Sequence, residues 1–166
     1  LFGGSAASSG SGTAWINPSE ALSSNSAYAN VGLAASSASA SLNVSGFIFN
    51  IPSRSTILGI QVSISKYATN ASIMDSSVRL IKNGTIVGIN NRKATGWSTG
   101  GVPVVSTYGD TGDSMWGTGW SPSNFNSNFG ISIQVKNSAT GGSTRTANID
   151  YVSVRVSYTL DGIIYW

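Results

Sequence analysis

The sequence predicts an all-β protein: an antiparallel two-sheet β-sandwich of about eight strands, jelly-roll-like in arrangement. Three observations predict it. Apolar and polar residues alternate with a period of two, as where Ile60, Val62 and Ile64 interleave with Gln61, Ser63 and Ser65. An Asn-Gly pair, Asn83-Gly84, separates two such runs, and both residues of a tight hairpin turn need positive φ. The outward phase is polar throughout, so each sheet has one face to bury, and two such sheets cover each other.

In chain order, residues 1–13 read as a flexible Gly/Ser-rich arm with an apolar tip, Leu1-Phe2. Residues 14–160 read as the sandwich domain. Its Ser/Ala/Asn-rich stretch 19–41 lacks the charged face of a surface helix and predicts only a loose strand around 27–33. Leu42, Val44 and Phe47-Ile48-Phe49 form a run that Pro52 ends. Strands are predicted from Ile57 to Ser65, over 77–82 and over 85–87. Others follow over 102–107, over 129–136 (Ile131, Ile133, Val135 inward) and over 148–159 (Val152, Val154, Val156, Tyr158 inward). Residues 161–166 read as an apolar C-terminal extension.

Composition excludes much chemistry. The 166 residues include no His and no Cys, so no Ser-His-Asp or Cys-His nucleophile system, disulfide or His/Cys zinc site can be built. Only nine basic and six acidic residues occur, and the basic ones are scattered rather than striped, against nucleic-acid binding. No apolar run reaches the roughly 18 residues of a membrane helix. Low charge with 44 Ser or Thr and 14 Asn suits an extracellular, cell-surface or virion-surface location.

The six carboxylates are Glu20, Asp75, Asp110, Asp113, Asp150 and Asp161. Only Asp110 and Asp113 are close in sequence, in a Gly-rich turn where carboxylates ordinarily accept from turn amides. Calcium binding or a glycosidase pair is the sharper alternative there. The expectation is no enzyme, no cofactor and no metal.

The stretch 107–130 carries Tyr108-Gly109, Asp113, Trp116-Gly117, Trp120-Ser121-Pro122, Asn126 and Asn128-Phe129-Gly130. Upstream stand Trp15-Ile16-Asn17-Pro18 and FIFNIPSRSTILGIQVSI over 47–64. Together these resemble an uncharacterised β-sandwich module of phage structural proteins and secreted bacterial proteins. The resemblance spans about 15–159 and implies a structural or adhesive role without known chemistry. That module ends near Tyr158-Thr159, whereas this chain continues to Trp166.

Two groups of residues remain as functional candidates. Ile163, Ile164, Tyr165 and Trp166, with Leu1 and Phe2 second, are apolar ends that a neighbouring copy would shelter by strand addition or groove filling. Folding back onto the same sandwich is the bland alternative. Such a head-to-tail contact between copies builds fibres or filaments when its rotation does not close. Trp97, Trp116 and Trp120 offer a stacking platform for a surface glycan, against the alternative that they plug the end of the sandwich. Three sequons, at Asn43, Asn70 and Asn83, are possible glycosylation sites, though no more numerous than chance supplies. The function expected is a non-enzymatic, self-assembling fibre subunit, with a glycan- or host-surface-binding adhesive module as the alternative.

Overall fold

A computed structural model describes residues 1–110, 115–160 and 162–166. The alternating runs form strands as their patterning requires. The strands are β1 (Ser5–Ser9), β2 (Ala29–Leu33), β3 (Ser41–Ser45), β4 (Thr56–Ala68), β5 (Ile73–Lys82), β6 (Thr85–Val87), β7 (Val104–Gly109), β8 (Gly130–Asn137), β9 (Arg145–Leu160) and β10 (Ile163–Tyr165). They build two five-stranded antiparallel sheets. One runs β1-β3-β8-β5-β6. The other runs β10-β9-β4-β7, with β2 also paired to β9. Setting β1 and β10 aside leaves β2-β9-β4-β7 facing β3-β8-β5-β6. The chain changes sheet at every connection from β2 to β9 except the β5–β6 hairpin. That order is two interlocked Greek keys, a jelly roll.

The inward phases meet between the sheets. Ile60, Val62 and Ile64 of β4 stand opposite Val156, Val154 and Val152 of β9. Across the interior lie Val78 and Leu80 of β5 and Ile131, Ile133 and Val135 of β8, all buried. Each such side chain contributes roughly 1.5–3 kcal/mol on burial. Phe47, Phe49, Trp120, Phe125 and Phe129 close one end, with ring centroids 4.8 Å apart for Phe125–Phe129 and 6.0 Å for Phe47–Phe129. The β5–β6 turn is the one its Asn-Gly pair predicts: Asn83 has φ 51°, Gly84 φ 81°, and Lys82 pairs with Thr85.

Three segments differ from the sequence reading. Residues 5–9 are not a free arm but an edge strand, paired with β3 from Ser5↔Ser45 to Ser9↔Ser41. Small side chains carry no amphipathic signal, so this strand rests on main-chain pairing with β3 and on the Ser8 and Ser9 hydroxyls, which accept from the Trp15 N–H and from Asn43. Residues 163–165 form a strand of their own, folded back on β9 through Ile163↔Leu160, Ile164↔Thr159 and Tyr165↔Tyr158. Phe47-Ile48-Phe49, read as a strand continuation, lies outside any strand; Phe47 and Phe49 join the aromatic end plug while Ile48 faces out.

Candidate functional site

Both apolar ends lie along β9. On the side away from β4, this 16-residue strand carries β2 opposite Arg145–Ile149, Leu22 opposite Tyr151, Phe2 opposite Ser153 and β10 opposite Tyr158–Leu160. The Val154 N–H donates to the Leu1 carbonyl at 2.8 Å. The backbone of both ends is therefore placed by the protein's own sheet, which corrects the picture of Leu1 and Phe2 on a free arm.

Their side chains are not sheltered. Leu1, Phe2, Ile163, Ile164 and Tyr165 are exposed, Trp166 is 69% exposed and neighbouring Ile48 is 78% exposed. Phe2 meets Tyr151 edge-on at 5.5 Å, and Tyr165 stacks on Tyr158 at 5.3 Å. Between the two ends lies a groove of about 370 Å³ lined by Leu1, Ile48, Ile51, Arg155, Val156 and Trp166. Successive strand residues turn their N–H and C=O to opposite edges. Val156, two residues beyond Val154, thus points its peptide groups toward this groove, where no strand pairs with it among the described residues.

The tryptophans divide. Trp97 is 4% exposed and Trp116 1%, so neither has a face to offer a sugar, and both belong to the core. The Trp116 indole N–H donates to the Ile60 carbonyl at 2.9 Å, spanning the end of the sandwich. Trp120 is half-buried. Its indole N–H donates to the Met115 carbonyl at 2.9 Å, and Lys82 Nζ lies 5.5 Å from its ring centroid beside a shallow depression that includes Ser121 and Asn124.

Among the sequons, Asn43 is held by β1, donating to Ser9 Oγ at 2.8 Å. Asn83 serves the turn and accepts from Asn126 Nδ2 at 3.1 Å. Asn70 is exposed in the β4–β5 connection, its Oδ1 accepting from the Ser72 N–H at 3.0 Å. Asp113, and with it the Asp110–Asp113 pair, and Asp161 lie outside the described residues.

A third cluster, not singled out from sequence, is polar and buried. Lys66 ends the inward phase Ile60, Val62, Ile64 of β4 and is 4% exposed, while Asp75 of β5 is fully buried. Lys66 Nζ donates to Asp75 Oδ1 at 2.7 Å and to the Tyr108 hydroxyl. The Tyr108 O–H donates to Asp75 Oδ2 at 2.7 Å, Trp97 Nε1–H to Asp75 Oδ1 at 2.8 Å, and the Lys93 N–H to Asp75 Oδ2 at 2.9 Å. The Lys66 ammonium also lies 4.4 Å from the Trp97 ring centroid.

Burial pushes the Lys66 pKa down, against the opposing pull of Asp75. Burial first, then Asp75, raises the Tyr108 pKa and keeps its phenol protonated. Gly96 fixes the approach of Trp97: a Cβ there would stand 2.0 Å from the Ala71 carbonyl oxygen, and the next N–H, that of Trp97, donates to Ile73 at 2.8 Å. The sequence signal was available, since a lysine on an otherwise apolar inward phase needs a buried partner.

The chain matches no protein-family model and no curated protein.

Proposed function

We propose that this chain is a non-enzymatic structural subunit, displayed on an extracellular or virion surface, that joins copies of itself head to tail along its sheet edges. The observation that carries this reading is the set of exposed apolar side chains at the chain ends, Leu1, Ile163, Ile164 and Trp166, with Leu1, Trp166 and the exposed Ile48 lining the β9 groove. Solvated monomers seldom leave such a patch uncovered. The opposite edge of the same sheet is β7, which has no charged residue and exposes Val104 and Val105, with Val102 just before it. An edge without charged gatekeepers is open to strand pairing. Seating the β10 edge of one copy on the β7 edge of the next continues the sheet, and repetition makes a fibre.

Removing residues 161–166 tests this directly. The truncated chain is expected to keep its β-sheet circular dichroism and to sediment as a monomer, while the full chain forms larger species as concentration rises. Assembly unchanged by the truncation would overturn the proposal. Glycan adhesion is the second reading and now rests on Trp120 with Ser121 and Asn124. Quenching of tryptophan fluorescence by a polysaccharide, lost in Trp120→Ala, would favour it.

A further inference from the structure

We propose that Lys66 and Asp75 form an internal amide cross-link, which joins β4 of one sheet to β5 of the other. The two groups are already in contact at 2.7 Å, both are buried, and they lie nine positions apart in the chain. Held groups of this kind react with effective concentrations of about 10⁵–10⁸ M. A buried ion pair and its neutral form differ only in the position of one proton, and burial disfavours the charged form of the lysine. The neutral form is an amine facing a carboxylic acid, the two reactants of a condensation. The depressed lysine pKa agrees with this direction.

The surrounding groups complete the chemistry. Lys66 Nζ attacks the Asp75 carboxyl carbon, and the carbonyl electron pair moves onto Oδ1, which accepts from the Trp97 indole N–H. Among the described residues Asp75 is the carboxylate hydrogen-bonded in this network, and the proton released by the amine travels through Tyr108, whose hydroxyl touches both Nζ and Oδ2. Oδ2 takes that proton and departs as water while the carbonyl re-forms. Amine and acid become amide and water, with no change of oxidation state and no co-reactant. A cavity of about 310 Å³, lined by Lys66, Lys93, Gly96, Trp97 and Ser106, gives the water a way out. The product is a covalent staple in a chain with no cysteine.

Mass spectrometry of the purified full chain under denaturing conditions tests the proposal. The intact mass is expected one water below the sequence value, and Lys66→Met and Asp75→Ala are expected at their full sequence masses. Trypsin does not cut after an acylated lysine. The peptides Ser55–Lys66 and Tyr67–Arg79 should therefore be replaced by a single Ser55–Arg79 species, lighter by one water. Tyr108→Phe keeps the ring, removes the relay and is expected to lower the cross-linked fraction several-fold. A wild-type chain at full mass that yields both short peptides overturns the proposal. So does a water lost in another peptide, such as a cyclic imide at Asp161-Gly162. The decisive reading is made on the wild type, so poor folding of a variant does not obscure it.

Discussion

Replacing Asp75 by Ala removes the acceptor on which four donors converge: Lys66 Nζ, Trp97 Nε1–H, the Tyr108 hydroxyl and the Lys93 N–H. Measured from the uncondensed Lys66–Asp75 pair, breaking one side of a buried ion pair costs about 3–5 kcal/mol, because the other charge is left uncompensated, and loss of the cross-link would add to that. Stranded neutral donors cost roughly 1–3 kcal/mol each, less than additively. Taking only the ion-pair figure, and about 2–4 °C per kcal/mol for a domain of this size, the melting temperature should fall by roughly 6–20 °C. Adding Lys66→Met to Asp75→Ala removes the orphaned charge and should recover part of the loss, so the double variant is expected to be more stable than Asp75→Ala alone. Urea unfolding followed by tryptophan fluorescence measures all three chains. The pH dependence supplies a sign. In Asp75→Ala the lysine keeps its burial and loses the carboxylate that opposed it, so its folded-state pKa lies further below the unfolded 10.5. Between those two values the unfolded chain binds more protons, and stability must rise with pH, more steeply than in wild type. A loss under 1 kcal/mol, or a stability of Asp75→Ala that does not rise toward pH 10, would refute this account of the network.

Gly96→Ala should cost about 1–3 kcal/mol by chemical denaturation, because the new methyl meets the Ala71 carbonyl oxygen and the 95–98 segment must move. Asn83→Ala should cost about 1 kcal/mol, since Ala tolerates the left-handed conformation of this turn residue less well than Asn. Phe129→Ala empties the middle of the aromatic end plug and should cost about 3–5 kcal/mol in the same assay. Ile164→Lys and Val105→Lys should each block assembly at one sheet edge. Mixed, the two variants keep one complementary pair of edges and should give heterodimers that grow no further by light scattering. Continued growth of either variant alone would count against edge-to-edge stacking.

The longer core strands β4, β5, β8 and β9 were legible because aliphatic inward residues alternate with mostly polar outward ones. Ile131-Ser132-Ile133-Gln134-Val135 admits one orientation on a half-buried sheet. β1 was illegible because Ser-Ala-Ala-Ser-Ser has no apolar phase, and only the open edge of β3 defines it. β10 was visible as an apolar segment but not as a strand, since its partner is the strand just before it and its side chains stay outside the core. Trp97 and Trp116 were legible as aromatics in loop-like surroundings, whereas their burial depends on where β4, β5 and β7 bring those loops. The Lys66–Asp75 pair fell between two habits of reading. Lysine is counted as outward by type, yet Lys66 is inward by phase.

Leu1 and Trp166 border the same groove, which places the two ends of this chain side by side on a single margin of the sandwich. A short Gly/Ser bridge between them, with the chain reopened at the exposed Asn83-Gly84 tip, would give a circular permutant with every core strand intact. Tension applied through both ends would also act on that one margin. It would peel β10 from β9 a hydrogen bond at a time, as a zipper opens, long before the extended β4–β9 ladder felt a shearing load.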